Sequence, residues 1–574
     1  MYLGNLTGAS IDELKLITSF LLSYPLAAVL KRLPDGKPWQ RNIFVISASL
    51  FYLVGLFDLW DGLRTVIYDA AAIYAIAYYI DGTLMPWIGF IWLMGHMSMS
   101  HIIRENLNDP SVVDITGAQM VWVMKLSAFC WNVHDGRITP EYLTDDQKDR
   151  SIKDMPGLLD YAGYMLFFPS FMVGPACDYV DYRRFLDTTM FEAAPDGSGP
   201  PPNKKGRRIP RSGTPAAWKA ATGLAWIGAF MILSPWYNVG TILSDKYMTY
   251  SLPRRIWLLY TLGFTSRTKY YGVWTLTEGA CILAGIGYNG VDSATKRVKW
   301  DRVENINPRG IETAQNSRAY LEGWNKNTNH WLRNYVYLRI TPKGKKPGFR
   351  ATLATFVTSA FWHGFAPGYY LTFALGAFVQ TAAKNIRRYV RPFFMTPDGK
   401  RGTSNKLYYD IMSWIITQFT MCFVTAPFVL LTLSDSMKVW ARVYFYGVLS
   451  VGGSIAFFAS PGKRWVAKKL DKRNHPHVRK TVSQETHHMP ALGLPNDPGR
   501  EIDDAIDEIQ AEIEARRRRG SVAQMPTGDQ LRKVIEDKVG KNIRFTDRGR
   551  VDVDGAVAEV SKATQNALEG KKEL

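Results

Sequence analysis

The chain has 574 residues, 47% of them hydrophobic and 13% aromatic, with a formal charge of +19 and four cysteines. That length and composition admit two or three soluble domains, or one large membrane body with a polar tail. Cys130, Cys177, Cys281 and Cys422 lie apart in apolar stretches with no CxxC spacing, which excludes a disulfide framework or zinc site and predicts buried thiols.

The distribution of charge decides for the membrane body. Nearly uncharged windows recur at residues 15–31, 42–57, 66–80, 85–100, 117–131, 159–176, 217–242, 256–290 (read as two passes), 351–380, 407–433 and 440–460. Each is close to the ~20 residues that cross a ~30 Å hydrocarbon core. The runs are continuous rather than alternating, so they read as helices and not as barrel strands. The expected fold class is therefore an all-α polytopic membrane protein of about 11 transmembrane or re-entrant helices. A mean hydropathy of only −0.13 follows from long polar loops and a polar tail diluting these windows. The N-terminus shows no basic n-region or small-residue cleavage site, so the first apolar segment is expected to stay as an anchor.

Three regions are expected: residues 1–461 as the membrane-embedded domain, 186–216 as a flexible Pro/Gly/basic loop within it, and 462–574 as a charged tail. The loop holds "AAPDGSGPPPNKKGRRIPRSG", which cannot pack a core and reads as a surface insertion. From Lys463 onward there are 23 basic and 19 acidic residues, so +15 of the net charge sits in the membrane body. Loops facing anionic lipid or an anionic substrate account for that excess. A nucleic-acid partner is disfavoured, because the basic residues lie in short inter-helix loops rather than along one soluble module.

In the tail, Ile502, Ile506, Ile509 and Ile513 form one stripe of a short helix, acidic first and arginine-rich last, an order that complements the helix dipole. Docking on its own protein and a coiled coil with a partner are the two readings. "KRWVAKKLDKR" after the last span places the C-terminus in the cytosol by the positive-inside rule. The end "KKEL" puts Lys571 and Lys572 where endoplasmic reticulum membrane proteins carry a dilysine retrieval signal; a KDEL-like reading would need a lumenal end. The sequon "NLT" at Asn5 fits a lumenal N-terminus.

Chemistry is sought among ionisable groups within spans, which are expensive there. His96 and His101 are five apart and do not share a helix face as metal ligands at i, i+4 would, so no metal role is assigned. His134, in "WNVHDGR" at a span end, reads as solvated and interfacial, and His330 as exposed. His363 differs: "SAFWHGFAPGYYLTF" places it inside an apolar run. It reads either as a structural histidine held by a neighbouring helix or as a general base. "GWNKNTNHWL", Gly323 to Leu332, sets three asparagines beside two tryptophans. Amide side chains there can steady a reacting carbonyl or an imidazole without adding charge; a surface turn is the alternative.

"WNKNTNHWL", with a "WHG" histidine thirty-eight residues after its first Asn, resembles the membrane-bound O-acyltransferase (MBOAT) family, in its lysophospholipid acyltransferase branch. "FCWNVHDGR" (Phe129 to Arg137) and "LFFPSFMVGPACDYVDYRRF" (Leu166 to Phe185) resemble fungal members of that branch. The sterol and diacylglycerol branch carries FYxDWWN at the Asn motif, and "YLEGWNKNTN" departs from it.

The resemblance implies a helical bundle around a catalytic tunnel, with the family's Asn on Asn325 and its His on His363. Acyl-CoA would enter from the cytosolic side and the lysophospholipid from the bilayer, with no metal and no cofactor beyond the acyl-CoA co-substrate. His363 would take the proton of the lipid hydroxyl, and Asn325 would stabilise the oxyanion or keep base and acceptor in register. Trp324, Asn329, Trp331 and Trp362 become substrate-contact candidates. Lys326, Arg333, Arg339, Lys343, Lys345 and Lys346 are candidates for the CoA phosphates, although positive-inside topology alone would place the same charges there. The implied function is acyl transfer to a lysophospholipid in phospholipid synthesis and remodelling, in the endoplasmic reticulum membrane. The alternatives are a protein or other lipid acceptor, and a transporter using His363 as a proton relay.

Overall fold

The computed structural model describes residues 10–107, 113–192, 208–341, 349–396 and 401–474. They all belong to one helical unit that runs through Pro476. Asn5, Lys343, Lys345, Lys346, residues 193–207 of the 186–216 loop and the tail beyond Asn474, with its isoleucine stripe and Lys571 and Lys572, lie outside the described residues. No strand forms among the described residues, only the isolated bridges Val291–Val298 and Met395–Gly402.

Eight helices reach 20 residues or more. They are α1 (Ile11–Leu30), α3 (Trp60–Tyr79), α4 (Met85–Leu107), α5 (Thr116–Gly136), α7 (Gly213–Leu233), α8 (Leu252–Ala284), α11 (Pro367–Tyr389) and α12 (Lys406–Leu430). Shorter helices fill the remaining positions: α2 (Pro38–Leu50, continued by a π turn Phe51–Leu56), α6 (Leu158–Met165), α9 (Lys326–Trp331), α10 (Phe349–His363), α13 (Leu433–Arg442), α14 (Tyr446–Ala459) and α15 (Gly462–Asn474). Among the described residues α1, α7 and α12 are long and apolar enough to cross a membrane on their own, and α13 with α14, bent by 80°, makes a fourth candidate.

Among the differences between the windows expected from hydropathy and this set, three bear on the site. Residues 256–284 of the 256–290 window lie in one 33-residue helix, α8, and not in two passes. Its internal glycines serve packing: a Cβ on Gly272 would fall 2.6 Å from the Ile227 side chain, and one on Gly223 of α7 would fall 2.7 Å from Leu276. Small residues let two helix backbones approach in this way. Residues 159–176 are helical only through Met165, because Pro169, Gly174 and Pro175 follow. That irregular stretch is lodged in protein, with Phe167, Phe168 and Phe171 almost completely buried, as non-helical backbone at membrane depth requires. Residues 351–380 form two helices, broken where Gly364 takes φ +124° and Pro367 opens the next.

Local signals set several ends. Ser10 and Glu13 make a reciprocal capping box at the start of α1, and Gly285 ends α8 in the left-handed region. The trailing end of the 186–216 loop is not free. Ile209 and Ser212 are buried, and Lys31 donates to the Pro210 carbonyl at 2.6 Å and to Ser212 Oγ at 2.7 Å.

Two apolar clusters make the core. One gathers α2 to α6 around α5, which is buried on every face, and reaches Trp331 and Trp362. The other gathers α8 and α11 to α14, with Trp324 packed against it. All four cysteines are free thiols; Cys130, Cys281 and Cys422 are buried, whereas Cys177 is only half-buried.

Candidate active site

The segment from Gly323 to Tyr337 and the end of α10 lie between the two clusters. Trp324 packs its ring against Trp274, Tyr270 and Tyr271 of α8, with centroids 5.3, 5.5 and 6.3 Å away. Trp331, a turn and a half further on, faces the other cluster and donates from Nε1 to Ser127 Oγ at 2.8 Å. Its ring meets Trp362 at 6.0 Å, and Trp362 donates to the Met120 carbonyl at 3.0 Å. The two motif segments are thus joined through a pair of tryptophans fixed on α5.

The three asparagines divide their work. Asn329 Nδ2 donates to the carbonyls of Leu321 and Trp324 at 2.8 and 2.7 Å. Asn327 is tied to Asn305 Oδ1 through its backbone N–H at 3.3 Å and its side-chain amide at 2.9 Å. Both hold the loop in shape. Asn325 is the N-cap of α9, with φ 42° and Oδ1 accepting from the Thr328 N–H at 3.4 Å. Asparagine tolerates this left-handed conformation better than most residues. Its Nδ2 meets no partner among the described residues.

His363 is the last residue of α10 and is half-buried. Its Nδ1 lies 2.7 Å from the Ser359 carbonyl oxygen. A carbonyl can only accept, so the proton sits on Nδ1 and the lone pair on Nε2. Tyr369, Phe373 and Phe428 surround the ring at 5.7, 5.0 and 5.0 Å. Nε2 meets no hydrogen-bond partner among the described residues. An imidazole so placed can accept a proton from a hydroxyl brought to it.

The proposed phosphate cations are differently employed. Lys326 is ion-paired with Glu304. Arg339 makes a two-pronged contact with Asp135, Nη1 to Oδ1 at 2.8 Å and Nη2 to Oδ2, and stacks over Trp131 at 4.3 Å. Arg333 is buried. The structure therefore does not gather Lys326 and Arg339 into an unpaired basic patch.

Sequence reasoning missed several polar residues that the fold draws together nearby. Tyr335 contacts Asp178 Oδ1 at 2.9 Å and Asn132 Oδ1 at 3.0 Å; Arg150 donates to His330 Nε2 at 2.8 Å. His330 is part of this network, not a free surface group. His134, expected to be solvated, is buried with its ring edge against Trp131 at 5.7 Å, because α5 lies in the core up to its last turn. Glu278, on α8, is buried and pairs with Lys219 at 2.7 Å. A carboxylate inside an apolar window is a signal that could have found it. His96 is bound to Asp69 at 2.7 Å, and His101 to the Trp362 carbonyl at 3.1 Å.

Among the described residues the two motif segments thus present one imidazole nitrogen, His363 Nε2, and one amide, Asn325 Nδ2, without a hydrogen-bond partner. Residues 110–426 match the family model of the membrane-bound O-acyltransferases. The chain is 43% identical to the lysophospholipid acyltransferase of Schizosaccharomyces pombe over 84% of its own length and 93% of that protein, and 42% identical to that of Saccharomyces cerevisiae over 81% and 77%. It is 29% identical to the human membrane-bound glycerophospholipid O-acyltransferase 2 over 84% and 90%. The chain belongs to the membrane-bound O-acyltransferase family and is a membrane protein.

Proposed function

We propose that this chain transfers a fatty acyl group from acyl-CoA to the free hydroxyl of a lysophospholipid, with His363 as general base. The observation that carries the reading is His363 Nε2, which meets no hydrogen-bond partner among the described residues, on a segment joined by Trp331 and Trp362 to the one that presents Asn325. It is supported by the names of the relatives at 43% and 42% identity.

In the step proposed, the lysophospholipid hydroxyl gives its proton to His363 Nε2 as its oxygen attacks the thioester carbonyl. Asn325 Nδ2, a neutral donor, steadies the oxyanion of the tetrahedral intermediate. The intermediate collapses with loss of the CoA thiolate, which takes up the proton from the imidazolium. Atoms and charge balance without a metal or cofactor. Apolar surroundings keep water from competing as nucleophile, which answers why an imidazole stands among Phe373, Phe428 and Tyr369.

Lys326 and Arg339, matched by carboxylates, order the motif segment in this reading, so their loss acts first on stability. The basic stretch "KRWVAKKLDKR" after the last apolar window supports a cytosolic face for the tail that follows it, in the endoplasmic reticulum membrane in this reading. The test is a panel on membranes containing the protein: labelled oleoyl-CoA with lysophosphatidylcholine, lysophosphatidylethanolamine, lysophosphatidylserine or lysophosphatidic acid in turn. Labelled diacyl phospholipid absent from control membranes is expected and ranks the head groups; no transfer to any of them contradicts the reading.

A further inference from the structure

A helix that stops inside a membrane leaves its last carbonyls without the donors of a following turn. α10 stops at His363, and the carbonyl of Trp362 meets no backbone donor among the described residues. The donor comes instead from another helix. His101, 7% exposed on α4, lies with Nε2 3.1 Å from the Trp362 oxygen. Since that oxygen can only accept, His101 carries its proton on Nε2.

The contact has little freedom to be anything else. Gly364, the residue after the base, holds φ +124°, and a Cβ there would fall 3.1 Å from His101 Nδ1. The imidazole therefore lies directly against the break. α4 also reaches the other motif segment, because Phe90 stacks on Trp331 at 6.4 Å. One helix, α4, thus touches both Trp331 and Trp362, the two tryptophans that join the site.

The geometry points to His101 as a positioning residue for the acyl transfer: its Nε2–H holds the Trp362 carbonyl and with it the last turn of α10, so that His363 keeps Nδ1 on Ser359 and Nε2 free. This inference rests on the reading of His363 as the base. His101 does not touch the substrate in this account. It acts through the backbone of the residue before His363, where a displacement of about 1 Å costs on the order of 10²-fold in rate.

The test uses the full chain in membranes or nanodiscs, with kcat and KM measured for oleoyl-CoA and a lysophospholipid acceptor. His101→Phe fills the same space without a donor and is expected to lower kcat about 10- to 100-fold, with both KM values within about twofold of the parent. His101→Gln, whose amide nitrogen reaches about as far as Nε2, is expected to recover most of that loss. A His101→Phe enzyme with normal kcat, a loss confined to KM, or a His101→Gln enzyme as impaired as His101→Phe would each overturn the inference. His363→Ala serves as the separating control. If it keeps its turnover, the base reading falls and this inference with it; if it loses turnover while His101→Phe is normal, only this inference falls.

Discussion

Two polar regions of the molecule invite comparison: the break between α10 and α11 at His363, and the network where α5 meets the segment from Lys326 to Arg339. In the second, charge meets charge. Arg339 is locked to Asp135, Lys326 to Glu304, and Arg150 reaches Asp146 at 2.8 Å as well as His330. In the first, Nδ1 is the only ring nitrogen of His363 with a partner among the described residues, and aromatic rings pack around the ring. A region whose charges are matched is suited to hold shape. A region with an unmatched lone pair in apolar surroundings is suited to take a proton.

Substitutions at three positions sharpen that difference, from the largest expected effect to the smallest. Asn325 belongs to both regions, capping α9 while its Nδ2 meets no partner among the described residues. If the free amide serves the oxyanion, Asn325→Ala and Asn325→Gly both lose about 10²- to 10³-fold in kcat. Glycine accepts φ 42° readily, so a Gly variant with normal rate would assign Asn325 to backbone geometry alone. Arg339→Ala should instead lower stability by roughly 3–5 kcal/mol, since it leaves the buried Asp135 carboxylate only the His134 ring, 3.6 Å away. A thermal melt of the detergent-solubilised protein reads this, and a raised KM for acyl-CoA at unchanged melting temperature would move Arg339 into the substrate site. Ser359→Ala should leave acyl transfer within about twofold, because His363 uses the backbone carbonyl at that position and not the hydroxyl. A large loss would show that the side chain takes part.

Much of this was legible in the sequence because the physics involved is local. Apolar windows near the length of a membrane crossing gave most helix positions, and the Asn and His motifs gave the segments that the fold brings together at Trp331 and Trp362. What escaped was whatever depends on contact between distant segments. The 256–290 window is long enough for two crossings of ~20 residues, and nothing local shows that its residues run on as one helix packed against α7. His134 reads as solvated because it lies among polar residues at the end of a span, but the burial of α5 is decided by the helices around it. Lys326 and Arg339 read as free cations because their carboxylate partners, 22 and 204 residues away, are visible only in three dimensions. His101 was set aside as unable to share a metal with His96, and its bond to the Trp362 carbonyl spans 261 residues.

The most direct test of the account is the turnover of His363→Ala beside the parent, in membranes matched for folded protein, following a labelled acyl chain from oleoyl-CoA into diacyl phospholipid. Loss of a general base predicts a fall of about 10²- to 10⁴-fold in kcat, with the variant still embedded and folded. Turnover close to that of the parent would contradict the account at its centre and return His363 to the role of a structural histidine at a helix end.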